Sequence, residues 1–296
     1  MRQAIAVMLD TRRDGCHRHP ERQVIFVGDF VDRGPKIREV LNVVRPMIDR
    51  GGALAVMGNH EFNAIAYHTP VPTNPGKFLR EHSSKNTHQH SETIKQLGEA
   101  ELAESVEWFR TLPLWLDLPG FRVVHATWHF GSIDQIGAAL SQLGGATTPF
   151  VHTATQRGSG LYDAVETVLK GKEASLPDGF AFRDPDGHER RIARIKWYEP
   201  ARNQTYRSYL FPFDPTFPDV PVSQSLVESE PGYPPDDKPV FFGHYWLKAD
   251  RPSLLAPNVA CIDYSVAKGG MLRAYRWNGE RQLTNENFVA IAARKT

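Results

Sequence analysis

VIFVGDFVDRGP, residues 24–35, decides how this sequence is read. Its apolar, β-branched and aromatic start predicts a short buried strand over residues 23–28, stopped by Gly28 and Asp29. Two carboxylates, Asp29 and Asp32, and the guanidinium of Arg33 then crowd a turn. Acids gathered where a strand ends suit a metal ion, and a site built this way draws its other ligands from further strand ends.

Outward from this stretch, residues 36–50 place Ile37, Val40, Leu41, Val44 and Ile48 at helical spacing, with Pro46 expected to kink or end the helix early. Residues 53–57 read as a second buried strand closed by Gly58, so the three elements predict a βαβ unit with parallel strands. Helical material follows over 61–68 and 91–112. A hairpin is expected from 114–118 and 121–126 across Pro119 and Gly120, then a helix over 132–145. From about 150 to 235 the prolines recur, and this region is read as an insertion of helices and loops over a face of the core. Strands return at 239–244, 259–265 and 271–277. The expectation is one domain over 1–296 that carries the insertion.

The bulk numbers narrow the class. With 296 residues, 41% hydrophobic, 23% charged and a formal charge of +1, the chain has an ordinary globular composition and no global attraction to nucleic acid or anionic membrane. Two distant cysteines, Cys16 and Cys261, make no disulfide framework and fit a reducing compartment. No apolar run approaches a membrane span, and no targeting segment is visible, so a cytoplasmic protein is expected.

Four motifs stand at the ends of four predicted strands: Gly28-Asp29-Phe30-Val31-Asp32-Arg33-Gly34, Gly58-Asn59-His60-Glu61, His125-Ala126 and Gly243-His244. In an open α/β sheet, function collects at the carboxyl ends of the strands. Carboxylate, amide oxygen and imidazole suit a borderline divalent ion such as Mn²⁺, Fe²⁺ or Zn²⁺. An Asp can bridge two metals, Arg33 is a fork fitted to phosphate oxygens, and His60 can protonate a leaving alkoxide.

In this order the motifs resemble the calcineurin-like metallophosphoesterases, in the branch of the serine/threonine protein phosphatases and bacterial diadenosine tetraphosphatases. The resemblance implies an α/β fold of two facing mixed β-sheets flanked by helices. It implies hydrolysis of a phosphomonoester or phosphoanhydride by a metal-bound hydroxide. Asp29 would bridge two divalent ions, Mn²⁺ first with Fe or Zn as the other candidates; Asn59, His125 and His244 would bind the second. His60 would be the general acid, with Asp32 orienting it, and Arg33 would clamp the phosphate. Arg33, Asn59 and Arg207 are the candidates for substrate contacts, Arg207 being taken from Arg157, Arg194, Arg202 and Arg207 in the insertion. The partner would be a phosphorylated small molecule, a nucleotide or a phosphoprotein. Membrane and nucleic acid are not expected.

The sequence departs from the family in places. The histidine motif continues Ala126-Thr127-Trp128 where glycines are usual, and Gly243-His244-Tyr245-Trp246 lacks the second histidine of many members. The family's first motif, Asp-x-His-Gly, does not occur before Gly28. The nearest imitation, Asp10-Thr11-Arg12, has arginine in place of histidine, and TRRDGCHRHPER after Asp10 reads as a loop and not a crossover helix. The favoured reading makes Gln3–Leu9 the end of a first helix, with the first strand upstream of Met1; the other makes AIAVML the first strand and Asp10 a degenerate ligand. On the favoured reading the first metal site is incomplete, and the chain is expected to be a weak or inactive phosphatase that an upstream extension would restore. A non-catalytic phosphate- or nucleotide-binding module is the alternative. Glu61 is read as a first-turn helix acid, and His82, His88 and His90 as solvated surface.

Overall fold

The computed structural model describes residues 11–13, 16–183, 188–249, 251–266 and 269–292. The expectations for Gln3–Leu9 and Asp10 fall outside them. Strands β1 (Thr11–Arg13) and β2 (Cys16–Arg18) pair antiparallel, so the described residues of this stretch are strand and not helix. Then come β3 (Val24–Phe26), helix α1 (Ile37–Asp49) and β4 (Ala53–Ala55). β3 and β4 are parallel, with Val24 opposite Ala53 and Phe26 opposite Ala55, as a βαβ unit requires.

Helix α1 does not stop at Pro46. It runs through the proline to Asp49. Val43, Val44 and Met47 on either side of Pro46 are all buried, and that continuous apolar face outweighs the one hydrogen bond the proline cannot make. Helix α2 (Asn59–His68) follows β4 directly, then α3 (Ser84–Gln96) and α4 (Glu99–Arg110). The helical material expected over 91–112 is thus two helices. α3 starts earlier than its apolar residues suggest, capped by Ser83, whose Oγ accepts from the Asn86 N–H.

The hairpin is β5 (Trp115–Asp117) with β6 (Arg122–Val124), antiparallel. Helices α5 (Phe130–Leu143), α6 (Thr148–Thr155) and α7 (Gly160–Lys170) follow. Only part of the 150–235 region is peripheral. Val165, Val168 and Leu169 of α7 are wholly buried in the main core, and the Ala126 N–H donates to the Val168 carbonyl. The region also carries strands: β7 (Glu173–Ser175), β8 (Phe182–Arg183), β9 (Glu189–Arg190), β10 (Ile192–Ile195) and β11 (Leu210–Phe211). Of these, β11, β10 and β7 make a three-stranded antiparallel sheet that the proline-rich reading did not foresee. Short helices α8 (Tyr206–Tyr209) and α9 (Gln224–Ser229) complete the region.

The chain returns as β12 (Val240–Phe242), β13 (Val259–Cys261), β14 (Asp263–Tyr264), β15 (Met271–Tyr275) and β16 (Phe288–Ala292). The order β13-β12-β6-β5 makes a mixed four-stranded sheet, parallel except for β5, and β14-β15-β16 is antiparallel. Val240, Phe242, Val259 and Cys261 are wholly buried in its middle. Each large apolar side chain buried this way contributes about 1.5–3 kcal/mol. The Met57 N–H donates to the Pro113 carbonyl at 2.7 Å, which ties the chain just after β4 to the chain just before β5. The fold is a mixed α/β architecture, as expected. Its consequence is directional: β3 and β4 run parallel to each other, as do β6 and β12, so each pair delivers its two carboxyl ends to one edge.

Candidate active site

The site begins with two glycines that face each other at the ends of β3 and β4. Gly28 has φ +90°, and a Cβ there would stand 2.5 Å from the Gly58 nitrogen. A Cβ on Gly58 would stand 2.5 Å from the Asp29 nitrogen and collide with the Asp29 carboxylate. Only glycine lets these strand ends approach so closely. Glu61 lies in the first turn of α2, as read from the sequence, but it does more than favour a helix dipole. Its fully buried carboxylate accepts the N–H groups of Asp29 (2.8 Å), Phe30 (2.7 Å) and Gly58 (2.9 Å). Burial raises its pKa, the Asp29 charge adds to the rise, and the Asp29 and Phe30 N–H groups oppose it.

His125 ends β6, and its Nδ1 lies 2.5 Å from the Val27 carbonyl. A carbonyl only accepts, so the ring proton is on Nδ1 and Nε2 presents a lone pair. That lone pair faces Asn59 Oδ1 at 3.1 Å and Asp29 Oδ1 at 3.4 Å, both acceptors. His244, after β12, brings Nδ1 to within 2.8 Å of the same Asn59 oxygen, while its buried Nε2 has no hydrogen-bond partner among the described residues. Burial, with Arg194 and His125 nearby, holds His244 well below the usual histidine range, so the ring is neutral. Asp29, His125 and His244 offer ligand atoms all within 4.8 Å of one another. A ring lone pair that faces two oxygen acceptors is what a cation resolves, and two imidazoles with two oxygens suit a borderline divalent ion. The donor set fits the metal that the sequence motifs imply.

Beside this cluster, His60 Nδ1 lies 2.6 Å from Asp32 Oδ2, and both side chains are buried. The other Asp32 oxygen takes His90 Nδ1 at 2.7 Å and the Thr93 hydroxyl at 2.7 Å. Burial works against the Asp32 charge, but the His60 and His90 hydrogen bonds outweigh it and hold the carboxyl well below its usual range. For His60, burial works against the charge, yet Asp29 and the Asp32 hydrogen bond outweigh it and raise its pKa. The Arg33 guanidinium lies over the Trp246 ring, 4.6 Å from its centre. Asp263 accepts the N–H groups of Ser265 (3.0 Å) and Trp246 (3.3 Å), pinning the segment after His244. Six of the seven non-glycine residues with positive φ among those described are Asp29, Asp32, Arg33, His244, Trp246 and Ser265. Backbone strain is therefore concentrated here, where surrounding contacts hold it. Arg33, His60, His125, His244 and Trp246 all line one cavity of about 230 Å³ that extends between β3 and β15.

The structure thus brings Asp29, Asp32, Arg33, Asn59, His60, His125 and His244 together. Arg207 is a correction: its guanidinium donates to the Phe217 carbonyl (2.9 Å) and to Asp219 (3.1 Å), and it does not line the cavity. A carboxylate twelve residues downstream claims it. Of the other candidates, Arg194 comes near enough to His244 to lower its basicity, while its Nε donates to the Lys170 carbonyl at 2.7 Å. His90 is a second correction. It is 4% exposed and bonded to Asp32, whereas His88 does face solvent. The signal in the sequence was faint: His90, Thr93 and Gln96 recur every three residues along α3, a polar stripe where a core face would be apolar.

With this geometry in place, comparison with known proteins gives the class. Residues 6–148 match the calcineurin-like phosphoesterase family. The chain is 32% identical to the symmetrical bis(5'-nucleosyl)-tetraphosphatase of Janthinobacterium sp. (strain Marseille), over 86% of this chain and 82% of that protein. It is 24% identical to the protein of the same description from Bordetella pertussis, over 85% of this chain and 80% of that one. A solved structure of a putative diadenosine tetraphosphatase aligns with a TM-score of 0.43 at 13% identity, covering 93% of this chain and 82% of that one. The chain belongs to the calcineurin-like phosphoesterase family, and it is a hydrolase acting on phosphoester bonds.

Proposed function

We propose that this enzyme hydrolyses a phosphoanhydride in a dinucleoside polyphosphate, with Asp29, Asn59, His125 and His244 holding a divalent ion. The observation that carries the reading is the meeting of His125 Nε2, whose ring proton sits on Nδ1, with two oxygen acceptors, Asn59 Oδ1 and Asp29 Oδ1. A bound ion there supplies Lewis acidity toward a phosphoryl oxygen and an activated water. Mn²⁺ is the first candidate. Among the described residues one such cluster is present, so it provides the ligands of one ion of the expected pair.

The protein's own groups supply the rest. Asp32 holds the Nδ1 proton of His60, which fixes the ring and turns Nε2 toward the cavity, where it can give a proton to the departing phosphate oxygen. Arg33 would present two parallel N–H groups to non-bridging phosphate oxygens, and its guanidinium rests over the Trp246 ring. The relatives described as symmetrical bis(5'-nucleosyl)-tetraphosphatases favour a dinucleoside tetraphosphate over a phosphoprotein. The test incubates the protein with diadenosine tetraphosphate and Mn²⁺ and follows ADP by chromatography. The expected result is two ADP per substrate, abolished by EDTA and by His125→Ala. Turnover that survives both would remove the metal reading, and a phosphopeptide hydrolysed far faster would remove the substrate reading.

A further inference from the structure

Helix α3 contributes a polar face to the Asp32 loop that no catalytic motif accounts for. His90 Nδ1 and the Thr93 hydroxyl both bond Asp32 Oδ1, at 2.7 Å each, and the Asp32 N–H donates to Thr93 Oγ1 at 2.9 Å. One helical turn on, the Gln96 amide accepts the Ile37 N–H (2.7 Å) and donates to the Gly34 carbonyl (2.8 Å). Behind His90, its Nε2 lies 3.0 Å from Nε2 of His68 in α2. The result is an unbroken line: His68, His90, Asp32, His60, cavity.

We propose that His90 is a positioning residue for the proton transfer by His60, and that His68 fixes the tautomer of His90. This rests on the proposed acid role of His60. The carboxylate can accept, so His90 carries its proton on Nδ1. Its Nε2 then accepts the single proton between the two Nε2 atoms from His68. His68 is kept neutral by burial, with His90 and His82 adding, which pushes its pKa down to about 4. With Oδ1 taken by two donors, the Asp32 carboxylate cannot rotate, and only Oδ2 is left for His60. An orienting group of this kind sets ring angle and tautomer without touching substrate.

The experiment uses two aryl esters that differ in their need for a proton. Nitrophenolate leaves p-nitrophenyl phosphate unaided, whereas phenolate leaving phenyl phosphate gains from general acid. The variants are His60→Ala, His90→Leu, His90→Asn, Thr93→Val, His68→Phe and His68→Gln, all under saturating Mn²⁺, with melting temperatures recorded. The amide of Asn places an N–H where Nδ1 was, and that of Gln places one where Nε2 was. For His90→Leu, kcat on phenyl phosphate is expected to fall about 10- to 100-fold, a part of the roughly 100- to 10,000-fold that general acid catalysis contributes, with KM nearly unchanged. The loss on p-nitrophenyl phosphate should be a few-fold at most. His90→Asn should recover most of the difference, and His68→Gln should outperform His68→Phe. Thr93→Val repeats the test with a smaller change if His90→Leu does not fold. Equal losses on the two esters, or no rescue by Asn, overturn the positioning role. If His60→Ala itself shows no preference between the esters, the proposed acid role fails first, and the two failures are told apart.

Discussion

His125 Nε2 and Asn59 Oδ1 stand 3.1 Å apart, and neither brings a proton to the contact. The folded chain holds this arrangement against electrostatic repulsion, so a cation should stabilise it. Mn²⁺ at about 100 times its dissociation constant is expected to add about 2.7 kcal/mol to the folding free energy. For a chain of this size that raises the melting temperature by roughly 4 °C. Calorimetry with and without the ion checks it. His125→Ala should show almost none of the shift, and a shift of the same size in that variant would place the ion elsewhere.

Glu61→Gln should be severe although it changes one atom. Oε2 accepts from Asp29 and Gly58 and Oε1 from Phe30, so an amide must turn its NH₂ against at least one N–H. A donor facing a donor in a buried site costs about 1–3 kcal/mol, and loss of the charge-assisted bonds adds to it. Urea denaturation should show destabilisation of about 2–4 kcal/mol. Because the Asp29 loop loses its anchor, metal affinity should fall in the same variant, read by calorimetric titration.

Two glycine substitutions separate crowding from backbone conformation. Gly58→Ala forces a methyl into the Asp29 carboxylate and backbone and should abolish activity and metal binding. Gly144 caps α5 at φ +71° with nothing within 4 Å of the added methyl. Gly144→Ala should therefore cost only about 1 kcal/mol, the price of a left-handed alanine, with kcat unchanged. Similar losses of activity in both would show that the close approach of Gly28 and Gly58 is not what matters.

His68 sets a pH dependence of stability. Its folded pKa is lowered from 6.5 to about 4 by burial and the nearby His90 and His82. As pH falls below 6.5 the unfolded chain takes up a proton that the folded chain refuses, so stability falls from pH 6.5 toward 4 and levels off below. Between pH 7 and pH 5 this half-buried group should remove on the order of 1 kcal/mol once solvent screening of the partly exposed ring is discounted. Unfolding free energies at both pH values, for the natural chain and for His68→Gln, isolate it: the variant should lose less by that amount. A parallel decline would assign the effect to other groups.

The βαβ unit and the four strand-end motifs were readable because each joins an apolar run to a metal-competent residue, and the two signals are independent. Parallel pairing then put those motifs at common edges without any further information. The role of α3 was not readable. Its buried face is His90 and Thr93, and a polar face leaves no hydrophobic period, so the helix looked like solvated surface. Arg207 was misplaced for a related reason: its Asp219 partner is brought near by a turn of the chain, which residue type does not announce. The helix continues past Pro46 because Val43, Val44 and Met47 bury one face, a packing effect that local propensity does not register.

The backbone of the loop from Asp29 to Ile37 takes much of its hydrogen bonding from outside any sheet. Glu61 holds the amides of Asp29 and Phe30, Thr93 that of Asp32, and Gln96 that of Ile37. The acceptors are side chains borrowed from two helices, so the loop has little rigidity of its own. Its order is inherited from α2 and α3, and it lasts only as long as both stay docked. The tempo at which water reaches these amides is then the tempo of helix undocking, and the chemistry at Asp29 and Asp32 is coupled to two helices whose far ends lie well outside the cavity.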